Sequence, residues 1–356
     1  RQARKLEHVI FAGFTHEPAI TLAERLLEIL PGSQEKIFYS DNGSTAVEVA
    51  MKMSLQYWYN QGIDKKRIVA IHGAYHGDTF GAMSAGARSE FTRPFSSYLF
   101  DVSFIDFPNG ENEVEVLEQF STMAKNGDVA AFIYEPLVQG TAGMRIYSSE
   151  ILDKILAIAA RENILCIADE VMTGFGRTGK IFASDHVNHK PDIMCLSKGL
   201  TGGVLPLGIT ACNDKVVSAF RTEDTLKTFF HGHSFTANPI SCVSALASLD
   251  LLLKEKCQQG IAKIEEDHKN FCNTVRGHKN LIKISSLGTI LSLELKASGQ
   301  TGYFNNLRDY SYDFFMKRDI LLRPLGNVIY FLPPYIITKE ERAKVYQAIL
   351  DLLNTL

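Results

Sequence analysis

Three short stretches carry side chains that could act together on one small molecule. DIMCLSKGLTGG (192–203) runs a β-rich segment into Lys198 and then into glycines, which makes its amine a candidate nucleophile toward a carbonyl group. ILCIADE (164–170) ends an apolar run on two acids. Asp169 then stands at the carboxyl end of a strand, where α/β proteins gather ligands, and a carboxylate buried there needs a cationic partner. In DNGSTAVEVAMKMSLQYW (41–58) the run KIFYS turns through a glycine into an amphipathic helix. Backbone N–H groups at that helix start, with the helix dipole and the hydroxyls of Ser44 and Thr45, suit a phosphate dianion. The plainer alternative is an ordinary N-cap at Ser44.

Anion cradle, strand-end carboxylate and strand-end amine follow one another along the chain. They match the three handles that pyridoxal phosphate requires: a phosphate site, an acid beside the pyridine nitrogen and an amine for the aldehyde. HGAYHGDTFGAM (72–83) adds Tyr75 and His76 between glycines that permit close approach of the backbone, and an aromatic ring there can stack on a planar ligand. HGHSFTANP (231–239) supplies small and hydroxylic residues before a further helix, a second candidate phosphate contact. GFGRTG (174–179) has the letters of a dinucleotide fingerprint, but DEVMT separates it from the strand and no helical periodicity follows, so the dinucleotide reading is set aside. Asp169 with His186 or His189 lacks a third ligand at metal spacing, and no metal is expected.

These residues need strands and helices to hold them. Strands are expected at 36–40, 67–72, 102–106, 129–135, 164–169, 192–197 and 207–212, with helices at 44–60, 113–126, 149–162 and about 238–257. The alternation predicts an α/β fold with a parallel sheet between helices. Beyond 258 the pattern changes: a helix at 260–276, β-rich LIKIS and TILSLEL, a helix at 303–318, short strands ILLRP and VIYFL, and a helix at 339–355. The expected division is therefore a large cofactor-binding domain over 1–257 and a smaller α+β domain over 258–356.

The chain has 356 residues, 46% hydrophobic and 22% charged, which excludes disordered and low-complexity classes. Its 37 basic and 40 acidic residues leave a net charge of −3, so neither a nucleic acid nor an anionic membrane is expected as partner. No apolar run approaches the roughly 20 residues that span a bilayer, and the opening RQARKLEHVIFAGF has no signal-peptide cleavage pattern, so a cytoplasmic location is expected. The opening also enters a helical-looking pattern without an N-cap signal, as though a segment preceded it. Six cysteines never closer than fifteen residues fit neither CxxC redox nor zinc spacing.

Taken together, DNGSTAVEVAMKMSLQYW, GAYHGDTFGAMS, DEVMTGFGRTGKIFA, SKGLTGG, HGHSFTANP and LLRPLGNVIYFLPPY resemble the class III pyridoxal-phosphate aminotransferases over essentially the whole chain. The resemblance implies fold type I, with a mainly parallel seven-stranded sheet. It also implies a homodimer with shared active sites. By motif it implies that Lys198 carries the cofactor, Asp169 partners the pyridine nitrogen, Gly43 and Ser44 hold the phosphate, and Tyr75 lies over the ring beside the substrate. It further implies that His233 and Ser234 reach the other protomer's cofactor phosphate, that Gly232 lines the substrate site, and that Arg323 clamps a substrate carboxylate.

Within the class the likeness leans to the biotin-pathway branch. That implies conversion of 8-amino-7-oxononanoate to 7,8-diaminononanoate, with S-adenosylmethionine as donor and lysine as the alternative. Met172 stands where many members have glutamine, Leu325 where an aromatic often follows Arg-Pro, and His233 where proline is common. Rival readings are a class III enzyme for ω-amino acids or diamines, a racemase of the same fold, and a non-catalytic cofactor-binding protein.

Overall fold

The β-rich runs of the N-terminal part pair into one sheet, as the computed structural model of the chain, which describes residues 1–297 and 304–356, shows. The strands are β1 (Gln34–Ser40), β2 (Arg67–Ile71), β3 (Ser103–Ile105), β4 (Val129–Tyr134), β7 (Leu165–Asp169), β8 (Ile193–Leu196) and β9 (Gly208–Asn213), with the two-residue strands β5 (Val138–Gln139) and β6 (Arg145–Ile146) forming a separate ribbon. Their order is β1-β9-β8-β7-β4-β2-β3, parallel from β3 to β8. β9 runs antiparallel to both neighbours. Every residue of β4 and β7 is buried, as expected of strands covered on both faces.

Helices α1 (Glu17–Leu27), α2 (Gly43–Asn60), α3 (Phe80–Ala85), α4 (Glu113–Lys125), α5 (Ser149–Arg161), α6 (Asp214–Ser218) and α7 (Pro239–Leu252) fill the intervals. α2 buries Val47, Ala50, Met51 and Trp58, spaced three and four apart, in a cluster with Ile68, Ala131, Ile167 and Ile193. Trp58 also donates its indole N–H to Ala130 O at 2.9 Å, so this helix is fastened to β4 as well as packed. The first residues form only a 3₁₀ turn over Gln2–Arg4. The first helix starts at Glu17, capped by His16, whose Nδ1 accepts from Ala19 N, with proline in the first turn.

The chain divides into two compact units, residues 1–137, 147–175 and 182–251 in the first and 138–146, 176–181 and 252–356 in the second. In the second, β10 (Leu281–Leu287), β11 (Ile290–Leu295) and β12 (Val328–Phe331) form an antiparallel sheet with helices α8 (Glu255–Val275), α9 (Leu307–Met316) and α10 (Lys339–Thr355). Phe271, Leu293, Phe315, Ile329 and Ile349 meet in its core. Residue 303, the expected start of the helix before 318, lies outside the described residues.

Two expected elements differ. The break expected after 257 between two helices falls at 253–254 instead, because Lys254 is extended (φ −66°, ψ 138°) and caps α8. Gln258 turns back to donate to Leu252 O at 2.6 Å, and Gly260 sits inside α8, where a Cβ would lie 2.8 Å from Tyr335 O. That glycine serves close packing and is not a helix stop. ILLRP (320–324) is not a strand: Pro324 has no N–H to give a ladder, and Leu325 bridges only Val328 across a tight turn with Gly326 at φ +66°. No helix among the described residues is long and apolar enough to cross a membrane, and all six cysteines are free thiols.

Candidate active site

At the end of β1 the chain turns into α2 through a capping box: Asn42 Oδ1 accepts from Thr45 N at 3.0 Å, and Thr45 Oγ1 accepts from Asn42 N at 3.2 Å. Asn42, not Ser44, is therefore the N-cap. The Ser44 hydroxyl instead accepts from Thr79 N at 3.0 Å and shares a 2.7 Å hydrogen bond with Thr79 Oγ1. Thr79 Oγ1 and Ala82 N both donate to Glu48 Oε1, so the start of α3 is tied to the first two turns of α2.

Asp169 is the last residue of β7 and is 5% exposed. Its Oδ1 accepts from Val171 N at 3.1 Å and its Oδ2 from His76 Nδ1 at 2.7 Å, the imidazole being fully buried. A carboxylate can only accept, so Nδ1 carries the proton of that hydrogen bond. Tyr75, the neighbour of His76, donates its backbone N–H to Glu135 Oε1 at 3.0 Å, just past β4. Its phenol is half-buried and pushed up to about 12, first by burial and then by Asp78.

These segments close on one another. A Cβ on Gly43 would lie 2.7 Å from Val171 Cγ1, and one on Gly77 would lie 2.5 Å from Ser44 Cβ. The chain of contacts thus runs from Ser44 and Gly43 to Val171, to Asp169, to His76, and through Gly77 back to Ser44. Lys198 follows β8, whose Cys195 is registered opposite Asp169. It opens the 3₁₀ turn Lys198–Thr201 with φ +45°, a conformation costing a side-chain-bearing residue roughly 1–2 kcal/mol, and the residue is exposed. Ser197 anchors the turn by donating to Leu207 O at 2.7 Å.

Glu170, adjacent to Asp169 and fully buried, has a different duty. Its carboxylate accepts from Thr173 Oγ1 at 3.0 Å, Ala183 N at 2.9 Å and Ser184 N at 2.7 Å, while burial raises its pKa. It pins both ends of the loop after β7. GFGRTG lies inside that loop, with β7 ending before it and only the 3₁₀ turn Ala183–His186 after it, which is not a dinucleotide-binding turn. His189 is held by Asp153 at 3.1 Å, and no group of three metal-ligating side chains exists among the described residues.

The remaining expected site residues make no hydrogen bond to this ring that the structure shows. Gly232 and Ser234 are exposed in the loop before α7, and His233 makes local hydrogen bonds, donating N–H to Thr236 Oγ1 and accepting from Phe235 N on Nδ1. Arg323 is exposed in the second unit, beside Tyr330, whose phenol is raised by burial and lowered by the arginine's charge. Met172 is partly buried in the loop after β7. His76 and Glu135 were missed as supports. The only sequence signal for His76 was the need of a buried Asp169 for a donor, which any of ten histidines could have met.

The donor set fits pyridoxal phosphate. A buried acid with both oxygens fixed, an exposed amine at the adjacent strand end and a helix start that has no room for a Cβ at Gly43 are the three handles of that cofactor. The family model for class-III aminotransferases matches residues 1–353. The adenosylmethionine-8-amino-7-oxononanoate aminotransferase of Synechococcus elongatus is 48% identical over 363 residues, covering 99% of this chain and 85% of that protein. The crystal structure of the enzyme of that name from Methanocaldococcus jannaschii superposes with a TM-score of 0.93 at 32% identity, covering 99% of this chain and 83% of that one. The omega transaminase of Pseudomonas jessenii in complex with PMP gives 0.91 at 26% identity, covering 99% and 83%. With a family match along nearly its whole length, on a mostly parallel α/β sheet bearing these handles, the chain belongs to the class III aminotransferases, enzymes that use pyridoxal phosphate.

Proposed function

We propose that this enzyme transfers an amino group to 8-amino-7-oxononanoate, forming 7,8-diaminononanoate for biotin synthesis, with S-adenosylmethionine as donor. The observation that carries the reading is the 48% identity to the Synechococcus enzyme over 99% of this chain. The alternative of an ω-amino-acid or diamine transaminase has weaker support, since the omega transaminase of known structure shares 26% identity.

Pyridoxal phosphate, when bound, supplies an aldehyde that holds an amine and a protonated ring that withdraws electrons from the adjoining carbon. Lys198 would hold that aldehyde, and its Nζ is the base that would take the proton from the donor's amine-bearing carbon and return one to the acceptor's carbon. Its side chain is exposed just past the end of β8. Asp169 holds a proton on the ring nitrogen, and its fixed oxygens need no reorientation as charge develops. Tyr75 would cover the ring, while Gly43 and Ser44 would hold the phosphate at the positive end of α2.

His233 and Ser234 serve the cofactor phosphate of a second copy while Gly232 lines the substrate site, which makes the working unit a homodimer in the cytoplasm. The exposure of Gly232 and Ser234 in this chain supports that assignment. Mixed Lys198→Ala and Ser234→Ala protomers then regain part of the activity, because a hybrid dimer holds one intact site.

The test is a panel of donors (S-adenosylmethionine, lysine, ω-amino acids, diamines) and acceptors, followed by the visible absorption band and by detection of the diamine. Transfer from S-adenosylmethionine to 8-amino-7-oxononanoate is expected. Efficient turnover of diamines with none of the oxononanoate would replace this reading, and an unchanged band with every donor would favour a non-catalytic binder.

A further inference from the structure

The chain approaches Gly232, His233 and Ser234 along α2, and polar residues of that helix hold the approach. Asn60 Nδ2 donates to Lys227 O at 3.1 Å, and Gln56 Nε2 donates to Lys227 O at 3.2 Å and to Thr228 O at 3.1 Å. Lys52 Nζ meets His231 Nδ1 at 2.9 Å. Lys227 answers by donating its Nζ to Asn60 O at 2.9 Å. Residues 52, 56 and 60 are four apart, so they share one row of the helix surface. Between these bonds Phe229 sets its ring edge-on to Phe38 of β1 and stacks on His231. From Gly232 to Thr236 the hydrogen bonds turn local: His233 N donates to Thr236 Oγ1, Phe235 N donates to His233 Nδ1, and Ser234 is exposed. The fastening to α2 thus ends one residue before Gly232.

We propose that Lys52 is a positioning residue that, with Gln56 and Asn60, holds the 227–231 segment so that His233 and Ser234 reach the cofactor phosphate of the second copy, its bond to His231 being the last latch before them. The proposal rests on the assignment of that loop to the partner's site. The same row runs back along α2 through Glu48, which accepts from Thr79 and Ala82, to Ser44. One helix therefore registers two sets of phosphate contacts: its own protomer's at its start and, about two turns further on, those lent to the other. Ordering a loop before it meets its ligand raises affinity by lowering the ordering that binding requires. The latch also has a protonation requirement. A lysine ammonium has hydrogens and no lone pair, so His231 must accept on Nδ1, which an imidazolium cannot do. The charged groups facing the ring are Lys52 and Glu48 from α2 and His233 from its own loop, while Phe38 and Phe229 are its apolar neighbours. Burial, then Lys52 and His233, push His231 below the ordinary histidine range, with Glu48 acting the other way. The latch is therefore closed at neutral pH and opens as His231 takes up a proton below about 6.5.

The experiment uses hybrid dimers of full-length chains, purified through two different tags, in which one protomer carries Lys198→Ala and only the other can be labelled. Occupancy is read by borohydride trapping and peptide mapping of Lys198 across a titration with pyridoxal phosphate, not by turnover. Lys52 is exposed, so Lys52→Met removes the donor and leaves the core intact. Placed on the Lys198→Ala protomer, it should raise the cofactor concentration at half-occupancy roughly two- to ten-fold, the range for one hydrogen bond. Placed on the Lys198 protomer, it should change little, because the loop it releases serves the site that cannot be labelled. Lys52→Arg, which keeps a donor, should stay near wild type in both places. The ratio of variant to wild type should hold above about pH 6.5 and shrink toward one below it, since acid opens the wild-type latch as well. A ratio blind to pH, an effect as large from the Lys198 protomer, or silence from both placements overturns the proposal. Ser234→Ala in the same two placements tests the reading beneath it. If Ser234→Ala acts from the Lys198→Ala protomer while Lys52→Met is silent, only the role of Lys52 falls. If it acts from the Lys198 protomer, or if no hybrid dimer forms, the assignment of the loop to a second copy falls and the proposal with it.

Discussion

Gly77 touches neither cofactor nor substrate in the roles assigned above, yet replacing it with alanine should damage the phosphate site. Its backbone lies at φ +126°, a region that side-chain-bearing residues rarely adopt, which costs about 1–3 kcal/mol. The added methyl would stand 2.5 Å from Ser44 Cβ and 2.8 Å from Ser44 Cα. The second of these is backbone in the first turn of α2, so relief requires moving the helix start and not merely rotating a side chain. Overpacking of that kind costs a further 1–3 kcal/mol or so. The two costs together amount to roughly 2–6 kcal/mol. Part of that falls on stability and part on cofactor binding, because displacing Ser44 also disturbs its bonds with Thr79. Urea unfolding of the apoprotein and titration with pyridoxal phosphate separate the shares. The expected result is weaker cofactor binding even where the variant remains folded, with free phosphate competing less well than in the wild type. A Gly77→Ala protein with native stability and native affinity would show that the 72–79 segment does not shape the phosphate site.

Other outcomes follow from single groups. His268 is neutral in the fold, its pKa lowered to about 4 by burial, while the unfolded chain takes up the proton near 6.5, so its contribution is complete above about 6.5 and lost as pH falls toward 4. The loss is roughly 3 kcal/mol, and denaturant midpoints across that window should fall less steeply in His268→Gln. Arg323→Ala should lower kcat/KM for the oxononanoate about ten- to a hundred-fold, with Arg323→Lys between, and the penalty should vanish for the acceptor's methyl ester; equal loss with acid and ester would make Arg323 structural. Lys198→Ala should reduce turnover by roughly 10²–10⁴ and abolish the borohydride-stable label that peptide mapping finds on Lys198 in the wild type.

The seven sheet strands were legible because each is a short β-rich run between polar turns, and in β4 and β7 burial on both faces leaves the apolar pattern unmixed. The division between α7 and α8 was not. No glycine or proline marks Lys254, and the break is made by the Gln258 side chain reaching back to Leu252, a contact that periodicity does not encode. Gly260, a residue type that commonly ends helices, sits inside α8 and answers to a carbonyl distant in sequence. The same distinction holds in the site. Lys198, Asp169 and the start of α2 could be read because each sits at an element's end, where local pattern is informative. The link from His76 to Asp169 joins segments 93 residues apart across an intervening strand, and only the sheet order brings them together.

The adjacent acids Asp169 and Glu170 show how strand geometry divides labour that composition leaves undivided. Successive residues at a strand end point to opposite sides. Asp169 accordingly meets His76 and Val171, while Glu170 turns away to Thr173, Ala183 and Ser184. One carboxylate is fixed by two donors with lone pairs to spare for a ligand. The other takes three donors and anchors the loop that carries Met172 and Phe175, with Phe175 packed where Gly199 leaves no room for a Cβ, 3.0 Å from its own. Since Gly199 follows Lys198 directly, the structural acid sets the wall against which the reactive lysine's turn is built. Exchanging the two acids' duties would require reversing the pleat, so the order Asp-Glu at this strand end is itself a consequence of which side each acid's donors lie on.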